Sequence, residues 1–320
     1  MDSIDIPLYN ELPELSSGGR SAWGLFGTDE SVGRVNLQTS VNVAAAAQLV
    51  TRGAVFPLDA PIGFIEPPLF RRGGLRHTQF RRPDDGSFDD VYDNFFPQAS
   101  SQWDSLAHVA YAPNEFYNGA TADDISSRRR NTIEHWATRG IVGRGILLDL
   151  AATLKSNPAY NPGSSYAITV DDLEDARLAA GVQFNHGDIL LIYTGFFDWY
   201  EFRTAEQRKA LVDPDSFHAA GIEHTEKMAE YLWNAKVSAI ASDCPSVEVW
   251  PPSFDVADGP FGFLHRILIG QFGIALGELW WLRDLAKDCD RDRVYEFLLT
   301  SAPLNVPGGI GSTANALAIK

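Results

Sequence analysis

Four short runs of mostly apolar residues constrain the fold of this 320-residue chain more than any other feature. In chain order they are R-G-I-L-L-D-L, D-I-L-L-I-Y-T-G, V-S-A-I-A-S and Q-F-G-I-A-L-G-E. Each run is short and continuous, which is typical of a strand buried in a sheet. Helical segments separate the runs, and alternating strands and helices favour an α/β fold with a central mixed, partly parallel sheet.

The helical segments carry their own start and stop signals. In T-V-D-D-L-E-D-A-R-L-A-A-G, Thr169 is placed to cap a helix, acidic residues fill its first turn, and Gly181 ends it. Similarly, Thr39 or Ser40 can begin a helix that runs through an alanine-rich segment to Gly53.

The chain is expected to form a single domain, because no fixed-period repeat and no low-complexity linker divides it. Residues 39–320 would form this α/β domain. Residues 1–38 are polar and rich in turns, yet S-A-W-G-L-F-G contains apolar side chains that a free tail would expose. We therefore expect residues 1–38 to form an arm that packs on the body of the protein or on a neighbouring subunit.

Composition argues against several classes of partner. The formal net charge of −16 and the isoelectric point near 4.8 disfavour nucleic acid and anionic membranes, because both repel acidic surfaces. No apolar run reaches the roughly 18 residues that a membrane helix requires. Two cysteines cannot form a disulfide framework, and the first residues lack the regions of a signal peptide. We expect a cytoplasmic protein that acts on a small molecule.

The segment from Gln98 to Gly119 carries the first candidate site. It places Asp104 four residues before His108, with amides at Gln98 and Gln102. Asp and His bind divalent metals and move protons near neutral pH, so their pairing beside aromatic residues suggests a small-molecule site. The spacing alone is not specific, because such pairs occur by chance in many proteins. The amide and aromatic residues expected to contact a substrate are Gln98, Gln102, Trp103, Tyr111, Phe196 and Phe197.

A second group of polar residues accompanies the later strands. His265 lies in F-G-F-L-H-R-I-L-I-G, a predicted helix, and Glu278 ends the predicted strand Q-F-G-I-A-L-G-E. A carboxylate at the exit of a buried strand is costly unless a cation or hydrogen-bond donors accompany it. Asp243 and Glu248 lie just past another strand, where open α/β sheets bind ligands. All four residues are therefore candidates for a site.

Residues 61–97 are rich in proline and glycine, so we expect loops there. In so acidic a chain, arginines in this region could bind a substrate carboxylate through the guanidinium fork, and Arg76 is the candidate for that contact. The alternative is that they pair with nearby aspartates on a solvated loop. The five arginines are Arg71, Arg72, Arg76, Arg81 and Arg82.

Six segments occur in one order along the chain: W-D-S-L-A-H-V, E-H-W-A-T-R-G-I-V-G-R-G-I-L-L-D, G-D-I-L-L-I-Y-T-G, I-A-S-D-C-P-S-V-E, L-H-R-I-L-I-G-Q-F-G-I-A-L-G-E and S-A-P-L-N-V-P-G-G-I-G-S. With W-G-L-F-G-T-D-E-S-V-G-R-V-N-L near the start, they resemble the cyclase family, which includes bacterial kynurenine formamidase and isatin hydrolase. The resemblance implies a swivelling β/β/α fold, a homodimer or homotetramer, and amide hydrolysis with a divalent metal, zinc or manganese.

The family signature is His-x-Gly-Thr-His-x-Asp-x-x-x-His. Aligning its Asp with Asp104 places its last His at His108. The same alignment puts Gln98 and Gln102 where the first two histidines are expected, and a neutral amide is a far poorer zinc ligand than imidazole. The ligands that the resemblance implies for one metal ion are Asp104, His108, His265 and Glu278.

These features favour a metal-dependent hydrolase of carbon–nitrogen bonds other than peptide bonds, with Asp104, His108 and Glu278 as catalytic residues. Its substrate would be an amide or a cyclic amide or imide. Loss of two histidines leaves an alternative, a metal-independent cyclase, dehydratase or isomerase that uses a His–acid pair. A binding scaffold without catalysis is a second alternative. A Ser-His-Asp hydrolase is not supported, because no G-x-S-x-G elbow is present, and Cys244 is predicted to be structural.

Overall fold

A computed structural model of the chain describes residues 5–16, 18–255 and 258–320. Within these residues, the strands are β1 (Val55–Pro57), β2 (Arg76–Arg81), β3 (Phe88–Asp93), β4 (Gln102–Asp104), β5 (Ile141–Asp149), β6 (Ala167–Ile168), β7 (Ile189–Tyr193), β8 (Gly221–Ile222), β9 (Ala239–Ser242), β10 (Ala275–Glu278), β11 (Glu296–Ser301), β12 (Gly311–Thr313) and β13 (Ala316–Ile319). The α-helices are α1 (Ser40–Ala47), α2 (Ala122–Ser126), α3 (Glu134–Ala137), α4 (Leu150–Thr153), α5 (Val170–Ala180), α6 (Phe196–Glu201), α7 (Ala205–Ala210), α8 (Glu226–Asn234), α9 (His265–Leu268) and α10 (Arg283–Asp292).

The largest sheet among the described residues has nine strands in the order β1-β13-β11-β5-β7-β9-β10-β4-β12. At its centre, β5, β7, β9 and β10 lie side by side and are parallel. The other pairings in this sheet are antiparallel. The four central strands are the four apolar runs of the sequence, so the prediction of an α/β fold with a mixed, partly parallel sheet is confirmed.

The central strands are apolar at consecutive positions because both of their faces are buried. Every residue of β7, β9 and β10 is buried. They therefore lack the alternation of apolar and polar residues that marks a strand with one solvated face. Polar residues come at the strand ends instead: Glu278 is the last residue of β10, and Asp243 directly follows β9.

The helix after β6 has the predicted caps. The Thr169 side chain accepts a hydrogen bond from the Asp172 N–H, and the Asp172 carboxylate accepts one from the Thr169 N–H. Gly181 ends α5 in the left-handed conformation, with φ of 69°. Reciprocal capping of this kind fixes where the helix begins.

The first helix is shorter than predicted. Thr39 caps α1 as expected, but the helix ends at Ala47 rather than near Gly53. After Ala47 the backbone N–H groups of Gln48, Leu49 and Val50 donate to carbonyl oxygens three residues back, and that of Arg52 donates to the carbonyl oxygen of Lys320, next to β13. No helix in the described part of the chain is long and apolar enough to cross a membrane.

Residues 5–16 pack against α8 of the same chain. The Tyr9 hydroxyl donates to Glu226 Oε1 at 2.7 Å, and the Trp233 indole N–H donates to the Pro7 carbonyl oxygen at 2.8 Å. These contacts place the start of the described chain on the body of the protein. Residues 1–4 and 17 of the expected arm lie outside the described residues.

Residues 61–97 differ from the expectation of loops. Strands β2 and β3 pair as an antiparallel hairpin, and its turn contains P-D-D-G. Nearly all residues of this hairpin are exposed. Without a buried face, the two strands have no apolar pattern by which the sequence could reveal them.

Candidate active site

Two paired strands bring predicted site residues to one face of the sheet. Strands β4 and β10 are antiparallel neighbours, with Gln102 opposite Glu278 and Asp104 opposite Leu276. Side chains that lie opposite each other, or two residues apart on one strand, project from the same face. Gln102, Asp104 and Glu278 therefore share one face, and all three are buried.

His265, the first residue of α9, completes a cluster with Asp104 and Glu278, which we call the triad. One nitrogen or oxygen atom from each of the three residues lies within 4.8 Å of the others. The Nε2 atom of His265 is 3.1 Å from Glu278 Oε1. Two carboxylates and one imidazole that converge in this way are a ligand set that zinc and manganese accept.

The Asp104 carboxylate is completely buried, yet neither of its oxygens has a hydrogen-bond partner among the described residues. The Nε2 atom of His108 lies 3.6 Å from Asp104 Oδ1, which is too long for a hydrogen bond. A buried carboxylate is costly without donors or a cation. A divalent ion held by the triad would supply the missing positive charge, so the residues present fit one metal ion.

Glu248 fixes the orientation of His265. Its carboxylate contacts Nδ1 of His265 and accepts hydrogen bonds from the backbone N–H of Leu264 at 2.6 Å and of His265 at 2.9 Å. On its other side, His224 Nε2 lies 2.8 Å from Glu248 Oε2. With Nδ1 held by Glu248, the imidazole presents Nε2 to the two carboxylates of the triad. A carboxylate behind a histidine is a common arrangement at metal sites.

The pKa values reflect this crowding of charges. Burial alone would lower the pKa of His265, but Glu248 and Glu278 raise it to about 10. Burial and the charge of Asp104 raise the pKa of Glu278. Burial would also raise the pKa of Glu248, but His265 and His224 lower it. A proton on His265 is thus stabilised between two carboxylates, and a metal ion at Nε2 would have to replace that proton.

Gln102 is a hydrogen-bond donor to the triad. Its Nε2 donates to Glu278 Oε2 at 2.5 Å, and its backbone carbonyl oxygen accepts from the indole N–H of Trp280. In place of the imidazole of the family signature, the amide therefore orients a triad carboxylate. Gln98 is half-buried, and its backbone carbonyl oxygen accepts a hydrogen bond from the guanidinium of Arg72.

A cavity of about 600 Å³ opens beside the triad. His265 and Glu278 form part of its wall, together with His108 and Arg72. Small-molecule sites have volumes in this range, and they combine apolar walls with a few polar groups. The aromatic side chains of the wall are Phe70, Trp250, Phe254 and Phe263, and prolines lie among them.

Comparison with known proteins places this chain in a family. The Cyclase family model matches residues 41–249. The chain belongs to the cyclase family. The resemblance found in the sequence is thereby confirmed. The crystal structure of a novel cyclase is 29% identical to this chain, with a TM-score of 0.82, and the match covers 99% of this chain and 100% of that one.

More distant members of the fold are isatin hydrolases. Isatin hydrolase A from Labrenzia aggregata, bound to benzyl benzoate, has a TM-score of 0.59 and 14% identity, over 88% of this cyclase-family chain and 98% of its own. Isatin hydrolase A from Ralstonia solanacearum has a TM-score of 0.57 and 17% identity, and the match covers 88% of this chain and 97% of that one. At these identities the likeness shows the fold alone. No protein with a curated description matches the sequence significantly.

The sequence predicts that Trp103 contacts a substrate, but it does not line the cavity beside the triad. It lies between Gln102 and Asp104 on β4, so alternation along the strand sends its side chain to the opposite face. There its indole N–H donates to Ser301 Oγ at 2.9 Å, and its ring packs against Trp280. Trp103 is therefore a core residue.

Phe196 and Phe197 are also core residues and not part of the cavity wall, which corrects their assignment as substrate contacts. They begin α6 and are almost completely buried. Phe197 packs against Phe64, and Phe196 stacks on Tyr200. The position of these residues after a central strand indicated a site, but the helix turns both rings into an aromatic cluster.

Asp243 directly follows β9, at the edge of the sheet where a ligand site is expected, and its hydrogen bonds connect two segments of the chain. Its carboxylate accepts hydrogen bonds from the Thr194 N–H at 2.6 Å, the Thr194 hydroxyl at 2.8 Å and the Phe196 N–H at 2.8 Å. These bonds connect the end of β9 to the start of α6. Burial raises the pKa of Asp243 to about 7, although the three donors oppose this shift. Cys244, the next residue, is buried and unbridged.

Tyr111 and Arg76 also lie away from the cavity. Tyr111 lines a separate cavity together with Arg266. Arg76 is on the exposed strand β2, where it forms an ion pair with Asp93 at 3.0 Å. Of the five arginines in this region, Arg72 is the one at the cavity. Strand β2 carries Arg76 into solvent and away from this cavity, so its contact with a substrate stays a prediction.

His224 and Trp250 contribute to the site but are not predicted as site residues from the sequence. His224 contacts Glu248, but no spacing in the chain relates it to the triad. Trp250 stands in W-P-P, where two prolines restrict the backbone beside a large aromatic ring. A rigid aromatic corner of this kind is a signal that could have identified a cavity wall.

Proposed function

We propose that this cyclase-family protein is a metal-dependent hydrolase that cleaves an amide or cyclic amide or imide bond in a small aromatic or cyclic substrate. The observation that carries the proposal is the buried carboxylate of Asp104, which has no hydrogen-bond partner among the described residues and faces His265 and Glu278. The adjoining cavity has a size suited to such a substrate. The names of the isatin hydrolases that share the fold support hydrolysis as the reaction class.

Asp104, His265 and Glu278 would hold one divalent ion, zinc or manganese. When bound, such an ion polarises a carbonyl group and lowers the pKa of water. The protein prepares the ligands for it through two contacts behind them. Glu248 holds Nδ1 of His265, which leaves Nε2 facing the ion, and Gln102 holds one oxygen of Glu278.

His108 is the proposed base. Its side chain lines the cavity, is partly exposed, and lies beside Asp104. In the proposed reaction, His108 takes a proton from water while the water oxygen forms a bond to the carbonyl carbon. The carbon–nitrogen bond then breaks, and His108 gives the proton to the leaving nitrogen. The products are an acid and an amine, or an acid and an amide if the substrate is an imide, and they stay joined in one molecule if the substrate was cyclic.

One observation favours a second function, a metal-independent cyclase, dehydratase or isomerase. Gln98 and Gln102 stand where the family signature has histidines, and Gln102 donates a hydrogen bond to Glu278. In that case His108 and Asp104 would form the His–acid pair that moves the proton. Hydrolysis of an amide is much harder without a Lewis acid, so this alternative requires a different reaction.

Metal content and activity distinguish the two functions. Protein purified without chelator is expected to hold about one zinc or manganese ion per chain, to lose activity in EDTA and to regain it with either ion. Ring-opening of cyclic imides and lactams would be assayed beside dehydration of hydroxylated cyclic ketones. Dehydration that persists in EDTA, with imides left intact, would favour the second function, and no turnover of either class would point to a binding scaffold.

A further inference from the structure

We infer that Arg72 forms an anion-binding subsite in the cavity and that the substrate is a planar aromatic compound with a carboxylate or another acidic group. The inference rests on the proposed function, because it takes the cavity beside the triad as the substrate site. It adds what the substrate carries besides the bond that is cleaved.

Arg72 differs from neighbouring arginines because no acidic side chain in the described ranges pairs with it. Arg71 pairs with Asp213 at 2.6 Å, and Arg76 pairs with Asp93 at 3.0 Å. Both pairs lie on the surface, where ion pairs contribute little to stability. Arg72 instead lines the cavity. In a chain with a net charge of −16, a cavity arginine without an acidic partner is available for an anionic ligand.

The guanidinium of Arg72 is held in place by two contacts. It donates through Nη1 to the backbone carbonyl oxygen of Gln98, and it lies over the ring of Phe70, 5.2 Å from the centroid. A guanidinium carries five N–H donors, so these contacts leave several for a ligand. An arginine fixed in this way can bind a carboxylate with two parallel hydrogen bonds.

The charges around the cavity favour an anion once the triad holds a divalent ion. The ion would balance the charges of Asp104 and Glu278. Asp215 also lines the cavity, but its carboxylate pairs with Arg71 at 3.4 Å, which leaves Arg72 as the arginine of the wall without an acidic partner among the described residues. Arg72 lines the same cavity of about 600 Å³ as His265 and Glu278, so one small molecule can contact both Arg72 and the triad.

Aromatic rings form much of the remaining wall. Phe263 stacks on His265, with 4.8 Å between ring centroids and an angle of 14° between planes. Phe70 packs against Trp250, also with 4.8 Å between centroids. Flat rings next to prolines favour a planar aromatic ligand. Such a ligand would meet the triad with its amide and Arg72 with its acidic group.

Two matched probes test the inference without turnover. Naphthoate and the neutral naphthamide share one ring system and differ in charge. We expect the protein as purified to bind naphthoate roughly 10- to 100-fold more tightly in calorimetry at fixed ionic strength. Arg72→Gln should remove most of this preference. Arg72→Lys should keep part of it, because lysine retains the charge but lacks the planar fork.

Arg81→Gln is the matched control, because Arg81 is on the exposed strand β2, does not line the cavity, and donates to the Gly86 carbonyl oxygen in the hairpin turn. This variant should keep the full preference for naphthoate. Equal binding of both probes by the wild-type protein would overturn the inference, and so would a preference that survives in Arg72→Gln. Metal content and sensitivity to EDTA do not depend on probe charge, so a failure here is distinguishable from a failure of the proposed hydrolase.

Discussion

Glu248 holds Nδ1 of His265, and this contact decides which imidazole nitrogen faces the triad. The same carboxylate accepts a hydrogen bond from the backbone N–H of His265, so the ring and the backbone of α9 are fixed together. A histidine binds metal through an unprotonated nitrogen, and a proton on Nδ1 leaves Nε2 for that purpose. Glu248 is thus a positioning residue that acts through His265.

Removal of the charge of Glu248 should weaken metal binding. Glu248→Gln keeps the size of the side chain, but an amide is a weaker partner for the Nδ1 proton. We expect metal affinity to fall roughly 10- to 100-fold, measured by competition with a chromophoric chelator. Glu230→Gln, at an exposed position of α8, should bind metal like the wild type. Equal affinity of Glu248→Gln and wild type would show that His265 needs no such partner.

Asp104→Asn should stabilise the metal-free protein while it abolishes metal binding. Asp104 is buried without hydrogen-bond donors among the described residues, and its charge adds to that of Glu278. An uncharged amide at this position should raise the free energy of unfolding in EDTA by about 1–3 kcal/mol. Urea unfolding with and without zinc measures both effects. The prediction fails if the variant is less stable than the wild type in EDTA.

The central sheet could be predicted because burial of both strand faces leaves a continuous apolar run, as in Ile189–Tyr193. Glu278 could be predicted as a site residue because its carboxylate ends such a run. The role of Glu248 could not be predicted, since it meets His265, 17 positions further along the chain, only through folding. No periodic pattern connects the two positions.

Arg72 and Arg76 also differ in surroundings in a way that the sequence does not predict, although they are close together in the chain. They lie four residues apart in one arginine-rich segment, yet Arg72 lines the cavity and Arg76 is in the exposed hairpin. A hairpin without a buried face carries no apolar pattern, so its first residue could not be located. Trp103 is a different case. Alternation along β4 would predict that its side chain points away from the face that carries Gln102 and Asp104, but a strand of three residues is too short to recognise in the sequence.

The stability of the protein should depend on pH through Asp243. Burial raises the pKa of this carboxyl in the folded state from 3.8 to about 7. Between these values the folded state retains a proton that the unfolded state has lost, so the free energy of unfolding falls as pH rises from about 4 to about 7 and then levels off. The full change for Asp243 is on the order of 4 kcal/mol.

Urea unfolding in EDTA across this pH range measures the effect, and the difference between wild type and Asp243→Asn isolates it. The variant has no group to ionise at this position, so the stability of the wild type should decline relative to that of the variant as pH rises. Parallel curves for the two proteins would mean that Asp243 ionises in the folded protein as it does in the unfolded chain.

Gly277 allows β10 to lie close to β9 beside Glu278. A Cβ at this position would lie 2.6 Å from Trp280 Nε1 and 2.8 Å from the Cβ of Ala241. The Trp280 indole also donates to the carbonyl oxygen of Gln102. A displaced indole would therefore disturb β4 as well as β10, the two strands that carry the carboxylates of the triad.

Gly277→Ala is therefore expected to lower the free energy of unfolding by about 1–3 kcal/mol, because extra volume in a packed core forces its neighbours to shift. It should also weaken metal binding, since Glu278 is the next residue. Gly143→Ala on β5 is the control, because a Cβ there would lie 3.6 Å or more from its neighbours, an ordinary contact distance. Urea unfolding and competition with a chelator measure the two properties. Wild-type metal affinity in Gly277→Ala would mean that the packing of β10 on β9 does not position Glu278.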